Sequence, residues 1–192
     1  QAVSPAMVQP VSNAGINWMV SDEMILEQSK DESGLYSNVE DPKVLFKPWI
    51  VEGEDGGNVN IVFRDRVISD RIAFQYGSME PVDAVDDFLG YMDDVRLQLM
   101  DMGEDPSDYL ITVALDGENW MFMSDFQYND GGRPFVNEWY KRLESHPSVK
   151  TVTPSEFLSE NNDLPRLSEI GTGSWIDGTL STWAGEEDES LA

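Results

Sequence analysis

The clearest hydrophobic pattern in the chain is an uninterrupted run at residues 110–115, in which every position is apolar or β-branched. The run ends abruptly in the polar sequence Asp116-Gly117-Glu118-Asn119. A short apolar run bounded by turn residues predicts a strand that is buried on both faces. Asp116 then lies at the carboxyl end of that strand, where α/β enzymes commonly carry reacting groups. The alternative is that Asp116-Gly117 is only a turn and that Glu118-Asn119 cap the following element.

Two further strand patterns also end in an acid, at Asp22 and at Asp65. Because predicted strands and helices alternate along the chain, the pattern indicates an α/β fold with parallel strands. Three acids at one edge of such a sheet form a candidate site. Strands are predicted at residues 16–22, 48–52, 59–65 and 149–152, and helices with apolar residues three and four apart or with clear caps at residues 5–14, 81–102, 135–145 and 155–159.

Two other stretches have no regular strand or helix pattern. Residues 27–47 are polar and rich in turn residues, and we expect a long loop or insertion with one short helix at most. The run 171–173 is rich in glycine, but no Lys and no predicted helix follows, so it is not a phosphate-binding loop. The adjoining Trp175, with Asp177 and Trp183 nearby, suits stacking on a flat neutral ligand such as a sugar ring. The alternative for Trp175 is a place in the hydrophobic core.

The chain is strongly acidic, with 37 Asp and Glu against 12 Lys and Arg in 192 residues and a formal net charge of −25. This charge argues against nucleic acids and anionic membrane surfaces as partners. It is compatible with a salt-adapted source. No run of 18 apolar residues is present, so no transmembrane helix is predicted. The length suffices for one domain with a real core.

The sequence has no cysteine and a single histidine, His146, which limits the possible chemistry. Disulfides, thiolate nucleophiles and His- or Cys-based zinc sites are excluded, and we predict neither a metal nor a cofactor. His146 follows a predicted helix and precedes Pro147, which indicates a helix end. Several carboxylates together with many aromatic residues favour glycoside hydrolysis. In that reaction one carboxyl group protonates the leaving oxygen, and another attacks the anomeric carbon or activates water.

Six segments of the chain carry a resemblance to a known enzyme family, and they are residues 14–23, 63–74, 115–120, 135–143, 151–158 and 173–177. In these segments, which follow the order of the family along nearly the whole chain, the sequence resembles glycoside hydrolase family 57, in particular its amylopullulanase-like branch. Two features depart from the family pattern, since Ala73 stands at a position where glycine is usual and residues 121–128 differ from the family's short aromatic run.

The resemblance implies an α/β fold that is the C-terminal part of a (β/α)7 barrel. Residues 1–192 are then a single partial catalytic domain, cut at both ends, with residues 160–192 as a segment that follows the barrel. The implied activity is that of a retaining glycoside hydrolase or glucanotransferase that acts on α-glucans such as starch or pullulan. Asp116 is the implied general acid/base.

The resemblance also implies that the nucleophile is a glutamate immediately before Gln1. A retaining pair of carboxyl groups lies roughly 5–5.5 Å apart. We therefore expect that this chain by itself does not turn over substrate. The residues predicted to bind substrate lie at strand ends and in the loops beside them, and are Asp22, Asp65, Asp70, Glu118, Asn119, Trp120, Trp175 and Asp177.

The alternative function is a carbohydrate-binding relative of the same fold that has lost catalysis. In both cases the expected partner is a polysaccharide or oligosaccharide. A cation-binding module is disfavoured because the sequence contains no Asp-x-Asp-x-Asp-Gly loop. Hydrolysis and transglycosylation, and a cytoplasmic or an extracellular location, fit the sequence equally well.

Overall fold

The computed structural model describes residues 2–117 and 132–184. The chain divides into two compact units. The described part of the first, here called the sheet unit, is residues 2–64, 109–112 and 154–184. The described part of the second, here called the helical unit, is residues 65–108, 113–117 and 132–153.

Along the described residues, single strands or pairs of strands, each two to seven residues long, alternate with helices. The strands are β1 (Trp18–Asp22), β2 (Lys30–Asp31), β3 (Trp49–Glu52), β4 (Asn58–Arg64) and β5 (Arg166–Glu169). The α-helices are α1 (Pro5–Asn13), α2 (Glu23–Glu27), α3 (Pro42–Leu45), α4 (Arg66–Asp70), α5 (Pro81–Asp101), α6 (Arg133–Ser145), α7 (Pro154–Glu160) and α8 (Ser181–Ala184).

All five strands belong to one sheet in the sheet unit, in the order β1-β4-β3-β5-β2. Strand β1 is parallel to β4, and β3 is parallel to β5. Strand β3 pairs with β4, and β2 with β5, in the antiparallel direction. The α/β class is therefore confirmed, whereas the prediction that all strands are parallel is wrong.

The turn between β3 and β4 explains the mixed sheet. It contains only residues 53–57, and Gly53 N donates to Gly57 O at 2.7 Å. Two strands joined by so short a connection must be antiparallel, because a parallel crossover needs a dozen or more residues. Gly56 in this turn has φ +81°, a conformation that glycine adopts without strain.

Strand β4 provides the centre of the core of the sheet unit. Helix α1 contacts β3 and β4, and helix α2 contacts β1 and β4. Val8 of α1 and Ile25 and Leu26 of α2 are buried. The carboxyl half of β4 is buried at four successive positions, as expected of a strand covered on both faces, and these are Ile61, Val62, Phe63 and Arg64.

The segment 27–47, predicted as a loop or insertion, contains one short helix and one very short strand. The helix is α3, and the side chain of Asp41 accepts a hydrogen bond from Lys43 N at 2.9 Å at its amino end. The strand is β2, which lies at the edge of the sheet beside β5.

Helix α5 is the main element of the helical unit, and its predicted bounds are confirmed to within one residue. Its buried side contacts α6, where Phe135 and Leu143 are buried. Trp139 of α6 meets Phe88 of α5 edge to face, with ring centroids 5.2 Å apart. Arg142 Nη1 lies 2.5 Å from Asp86 Oδ1 on the exposed side of the two helices. The buried residues of α5 are Ala84, Val85, Phe88, Leu89, Met92, Val95 and Leu99.

The predicted strand at residues 110–115 is largely wrong. Only Thr112 forms a β-bridge, parallel to Arg64, and all six side chains are partly exposed. Residues 149–152, also predicted as a strand, form none. Strand β5 has no strand-like sequence pattern, yet its backbone pairs with both β3 and β2. No helix among the described residues is both long and apolar enough to cross a membrane.

Candidate active site

Asp116 lies at the end of a backbone segment that is held at alternate residues. In the sheet unit, Leu110 N donates to Phe46 O at 2.8 Å, and Thr112 forms its bridge with Arg64. In the helical unit, Ala114 N donates to Ser69 Oγ at 3.2 Å. Asp116 follows two residues later and is partly exposed. A carboxyl group in this position is accessible to a ligand and has a fixed backbone before it.

Asp22 is fully buried at the carboxyl end of β1, opposite Arg64 in the register of β4. One carboxylate oxygen caps helix α2 by accepting a hydrogen bond from Met24 N at 3.0 Å. The other oxygen lies 2.9 Å from Arg64 Nε. The orientation of the two groups does not allow a hydrogen bond between these atoms, so they form a close ion pair. Asp22 therefore holds together the end of a strand, the start of a helix and a buried cation.

Arg64 also contacts the ring of Trp175. The guanidinium carbon lies 5.3 Å from the ring centroid, and only 2% of Arg64 is exposed. This is a cation–π arrangement, which favours a fixed ring orientation. Trp175 is partly exposed. The structure thus brings Asp22, Arg64 and Trp175 together, and Arg64 was not among the substrate-binding residues predicted from the sequence.

Asp65 directly follows β4 and is 1% exposed. One oxygen caps helix α4 by accepting a hydrogen bond from Ile68 N at 3.3 Å, and the other accepts a hydrogen bond from the Tyr91 hydroxyl group. Asp70, at the end of the same helix, lies 3.9 Å from Arg66 Nε. Both acids therefore contact other groups of the protein, and their role in substrate binding stays a prediction.

A second polar network lies beside Tyr91 and was not found by sequence reasoning. Asp87 Oδ2 accepts hydrogen bonds from Arg71 Nη1 at 2.9 Å and from the Tyr76 hydroxyl at 2.7 Å. Burial and the bond to Asp87 raise the pKa of the Tyr76 hydroxyl well above its usual value. Arg71 begins a π-helical turn (Arg71–Gln75), and its guanidinium lies 5.5 Å from the centroid of the Tyr91 ring. Such turns are frequent at functional sites.

Asp177 organises the loop that carries the predicted ligand-binding tryptophan. Its carboxylate accepts hydrogen bonds from Thr179 N and Thr179 Oγ1, each at 2.9 Å, and from Ser181 Oγ at 3.0 Å. The bonds from Thr179 lower the pKa of the Asp177 carboxyl group. Trp183, of which 61% is exposed, donates from Nε1 to Ser174 Oγ at 2.9 Å. The bonds of Asp177 therefore support the loop that carries Trp175, and Trp183 of the adjoining helix α8 presents its ring to solvent.

The glycines before this loop allow close packing. A Cβ atom on Gly173 would lie 2.0 Å from Gly178 O, and one on Gly171 would lie 2.8 Å from Ile25 O. Gly173 also exchanges two backbone hydrogen bonds with Val3, at 2.9 and 3.0 Å. These contacts give the glycine-rich run a packing role.

The helical unit contains an open apolar cleft of about 460 Å³, and the residues just before Asp116 form part of its wall. It is lined by Val113, Leu115, Val136, Trp139 and Tyr140. Val113 and Leu115 are alternate residues, as expected where an extended chain presents one face to a cleft.

Three of the predicted substrate-binding residues, Glu118, Asn119 and Trp120, lie outside the described residues. The other candidates fall in both units, with Asp22, Trp175 and Asp177 in the sheet unit and Asp65, Asp70 and Asp116 in the helical unit. Within residues 2–117 and 132–184, no group of three or more acidic or histidine side chains is arranged to hold a metal ion.

Comparison with solved structures identifies a similar fold. A 4-alpha-glucanotransferase from Thermococcus litoralis matches 89% of this chain with a TM-score of 0.63 and 21% sequence identity. The chain spans only 23% of the length of that structure. No curated protein sequence matches. The sequence model of Glycosyl hydrolase family 57, by contrast, matches residues 1–168. That match covers most of the chain and includes Asp116, and the chain therefore belongs to glycosyl hydrolase family 57.

Proposed function

We propose that this chain is part of an α-glucan-active glycoside hydrolase or glucanotransferase, in which Asp116 is the general acid/base. The observation that carries the proposal is the family match over residues 1–168, which includes Asp116. The partial exposure of Asp116 after an anchored backbone segment is consistent with a proton donor that reaches a ligand. We further propose that the fold belongs to a (β/α)7 barrel, which the similarity to the larger glucanotransferase supports.

In the proposed retaining mechanism, the Asp116 carboxyl group gives its proton to the glycosidic oxygen as the bond from this oxygen to the anomeric carbon breaks. A second carboxylate bonds to the anomeric carbon at the same time. The Asp116 carboxylate then takes a proton from water, or from a glucan hydroxyl group, as that oxygen attacks the anomeric carbon and releases the second carboxylate. We assign this second carboxylate to no residue of the described part of the chain.

The proposed substrate is an α-glucan because the similar solved structure is a 4-alpha-glucanotransferase. Trp175, whose ring contacts Arg64, and the exposed Trp183 are the aromatic residues that we propose to contact sugar rings. Asp177 supports this aromatic loop. Asp22, Asp65 and Asp70 are retained as candidates for substrate binding, with described contacts to protein groups.

The test is the substitution Asp116→Asn in the full-length protein. Loss of the proton donor is expected to lower kcat on maltooligosaccharides and soluble starch by on the order of 10³-fold. The change is isosteric, so circular dichroism and thermal unfolding should match those of the wild type. Chromatography of the products then distinguishes hydrolysis, which gives only shorter chains, from glucanotransfer, which also gives longer ones.

Asp108→Asn is the matched control, because Asp108 is exposed at the end of the 3₁₀ helix Pro106–Asp108 and lies eight residues before Asp116. Its activity should equal that of the wild type. Unchanged turnover in Asp116→Asn would refute the assignment. A wild-type protein that binds glucan in affinity electrophoresis but produces no new chains would instead favour the carbohydrate-binding alternative.

A further inference from the structure

The backbone before Asp116 depends on a side chain where a β-ladder would normally be found. Thr112 is the last residue of this segment to form a β-bridge. Two residues later, Ala114 N donates to the hydroxyl oxygen of Ser69, at 3.2 Å. A serine oxygen can accept such a bond as a backbone carbonyl does. Ser69 therefore continues the anchoring of the segment toward Asp116.

Ser69 is itself well fixed. It is fully buried on helix α4, beside the fully buried Ile68. Asp65 caps the start of this helix and is in turn held by the Tyr91 hydroxyl. The position of the Ser69 oxygen is thus determined by the helix cap and by core packing.

Apolar contacts also hold the segment. Val113 and Leu115 line the cleft formed with Val136, Trp139 and Tyr140 of α6. Asp116 directly follows Leu115. The residues before Asp116 are therefore held both by hydrophobic packing of their side chains and by the backbone bond to Ser69.

We propose that Ser69 is a positioning residue for Asp116, acting through Ala114 N to hold the proton donor in its reactive geometry. This inference rests on the proposed function of Asp116. A displacement of about 1 Å in a reacting group can cost on the order of 10²-fold in rate. A hydrogen bond two residues before the carboxyl group is close enough to control such a displacement.

The test is Ser69→Ala in the full-length protein, assayed on two substrates. On maltooligosaccharides, whose leaving group needs a proton, kcat is expected to fall by about 10- to 100-fold with KM unchanged. On α-maltosyl fluoride with added azide, the fluoride leaves without protonation, and azide attacks the anomeric carbon without giving up a proton. Neither step needs Asp116, so that rate should stay within about twofold of the wild type.

Ser29→Ala is the matched control. Ser29 is also fully buried and also accepts a hydrogen bond from a backbone amide, that of Gly171, at 2.9 Å. It should cause a comparable loss of thermal stability without the selective loss on maltooligosaccharides. Ser69→Cys, which has almost the same size but a weaker acceptor, should lie between Ser69→Ala and the wild type and provides a folded variant if Ser69→Ala does not fold.

The outcomes separate this inference from the proposed function. Asp116→Ala, assayed on the same two substrates, tests the acid/base assignment separately. If it loses activity on maltooligosaccharides but keeps it on α-maltosyl fluoride with azide, and Ser69→Ala and Ser69→Cys show no such selective loss, the positioning role is refuted and the acid/base assignment stands. If the Ser69 variants lose activity equally on both substrates, the role of Ser69 is only structural, and the inference fails. If Asp116→Ala itself shows no selective loss, the acid/base role of Asp116 is refuted, and the positioning role of Ser69 is refuted with it.

Discussion

Asp22 and Asp65 are both almost completely buried, and each combines a helix cap with a second contact. The second contact of Asp22 is the cation of Arg64, and that of Asp65 is the hydroxyl group of Tyr91. An acid at a strand end can thus be required for the local structure. Asp116 differs from both because it is partly exposed.

The pair formed by Asp22 and Arg64 leads to a stability prediction. Asp22→Asn removes the negative charge from this buried pair, and loss of one partner of a buried pair costs about 3–5 kcal/mol. The free energy of unfolding from urea titration should fall by that amount. The contrasting variant is Glu169→Gln, which breaks the exposed pair with Lys30, where the two charged atoms are 2.7 Å apart. It should cost less than about 1 kcal/mol. Equal losses in the two variants would contradict the importance of burial.

Single residues also show where the sequence was informative. The acid at the end of β1 was recognisable because a strand pattern stops at a polar residue. Its partner Arg64 was not, because a single arginine at the end of an apolar strand usually lies in solvent, and only the pairing of β1 with β4 buries it. Ser69 was not identified from the sequence as a functional residue, because its bond to Ala114 joins residues 45 positions apart.

At the scale of elements, the amphipathic helices were predicted well and the strands less well. The pattern of α5 is local, because residues three and four apart share a face regardless of what covers it. Strand β5 has only one buried residue, Leu167, and its existence depends on backbone pairing with β3 and β2. The apolar run at 110–115 lacks a continuous partner and forms a single bridge.

Substitutions at two glycines test the backbone conformation of a turn and of a helix. Gly56→Ala introduces a side chain at φ +81° in the turn between β3 and β4 and should cost about 1–2 kcal/mol. Gly90→Ala places the same methyl group at an exposed position of helix α5, where no atom outside the helix backbone lies within 4 Å of it, and should stabilise the protein by about 0.5–1 kcal/mol. Both are measured by urea unfolding. Stabilisation by Gly56→Ala would contradict the positive φ angle of Gly56 in this turn.

At the scale of the whole molecule, the net charge of −25 is the dominant property. Ion pairs such as Arg71 with Asp87 and Arg142 with Asp86 offset part of the repulsion on the surface of the helical unit. With 37 acids and 12 basic residues, most carboxylates have no cationic partner available in the sequence. The compact state should therefore be destabilised by self-repulsion at low ionic strength.

This repulsion predicts a salt dependence. Raising the NaCl concentration from 0.01 M to 1 M shortens the screening length from about 30 Å to about 3 Å. We expect stabilisation by at least about 1 kcal/mol, which corresponds to a rise in Tm of about 2–4 °C for a domain of this size. Differential scanning calorimetry measures the shift. Sorbitol at equal osmolality is the control, and an equal effect of sorbitol would contradict an electrostatic cause.

The sequence by itself determined the α/β class, the amphipathic helices and the choice of Asp116 as the residue to test. These properties depend on local periodicity, on residue type and on short motifs, all of which can be read along the chain. The tertiary structure alone decided the mixed strand order, the burial of Arg64 between Asp22 and Trp175, and the bond from Ala114 to Ser69. Except for the pairing of β3 with β4 through their short turn, each of these contacts joins residues 42 or more positions apart. Such contacts leave no periodic signal because they depend on how distant segments pack.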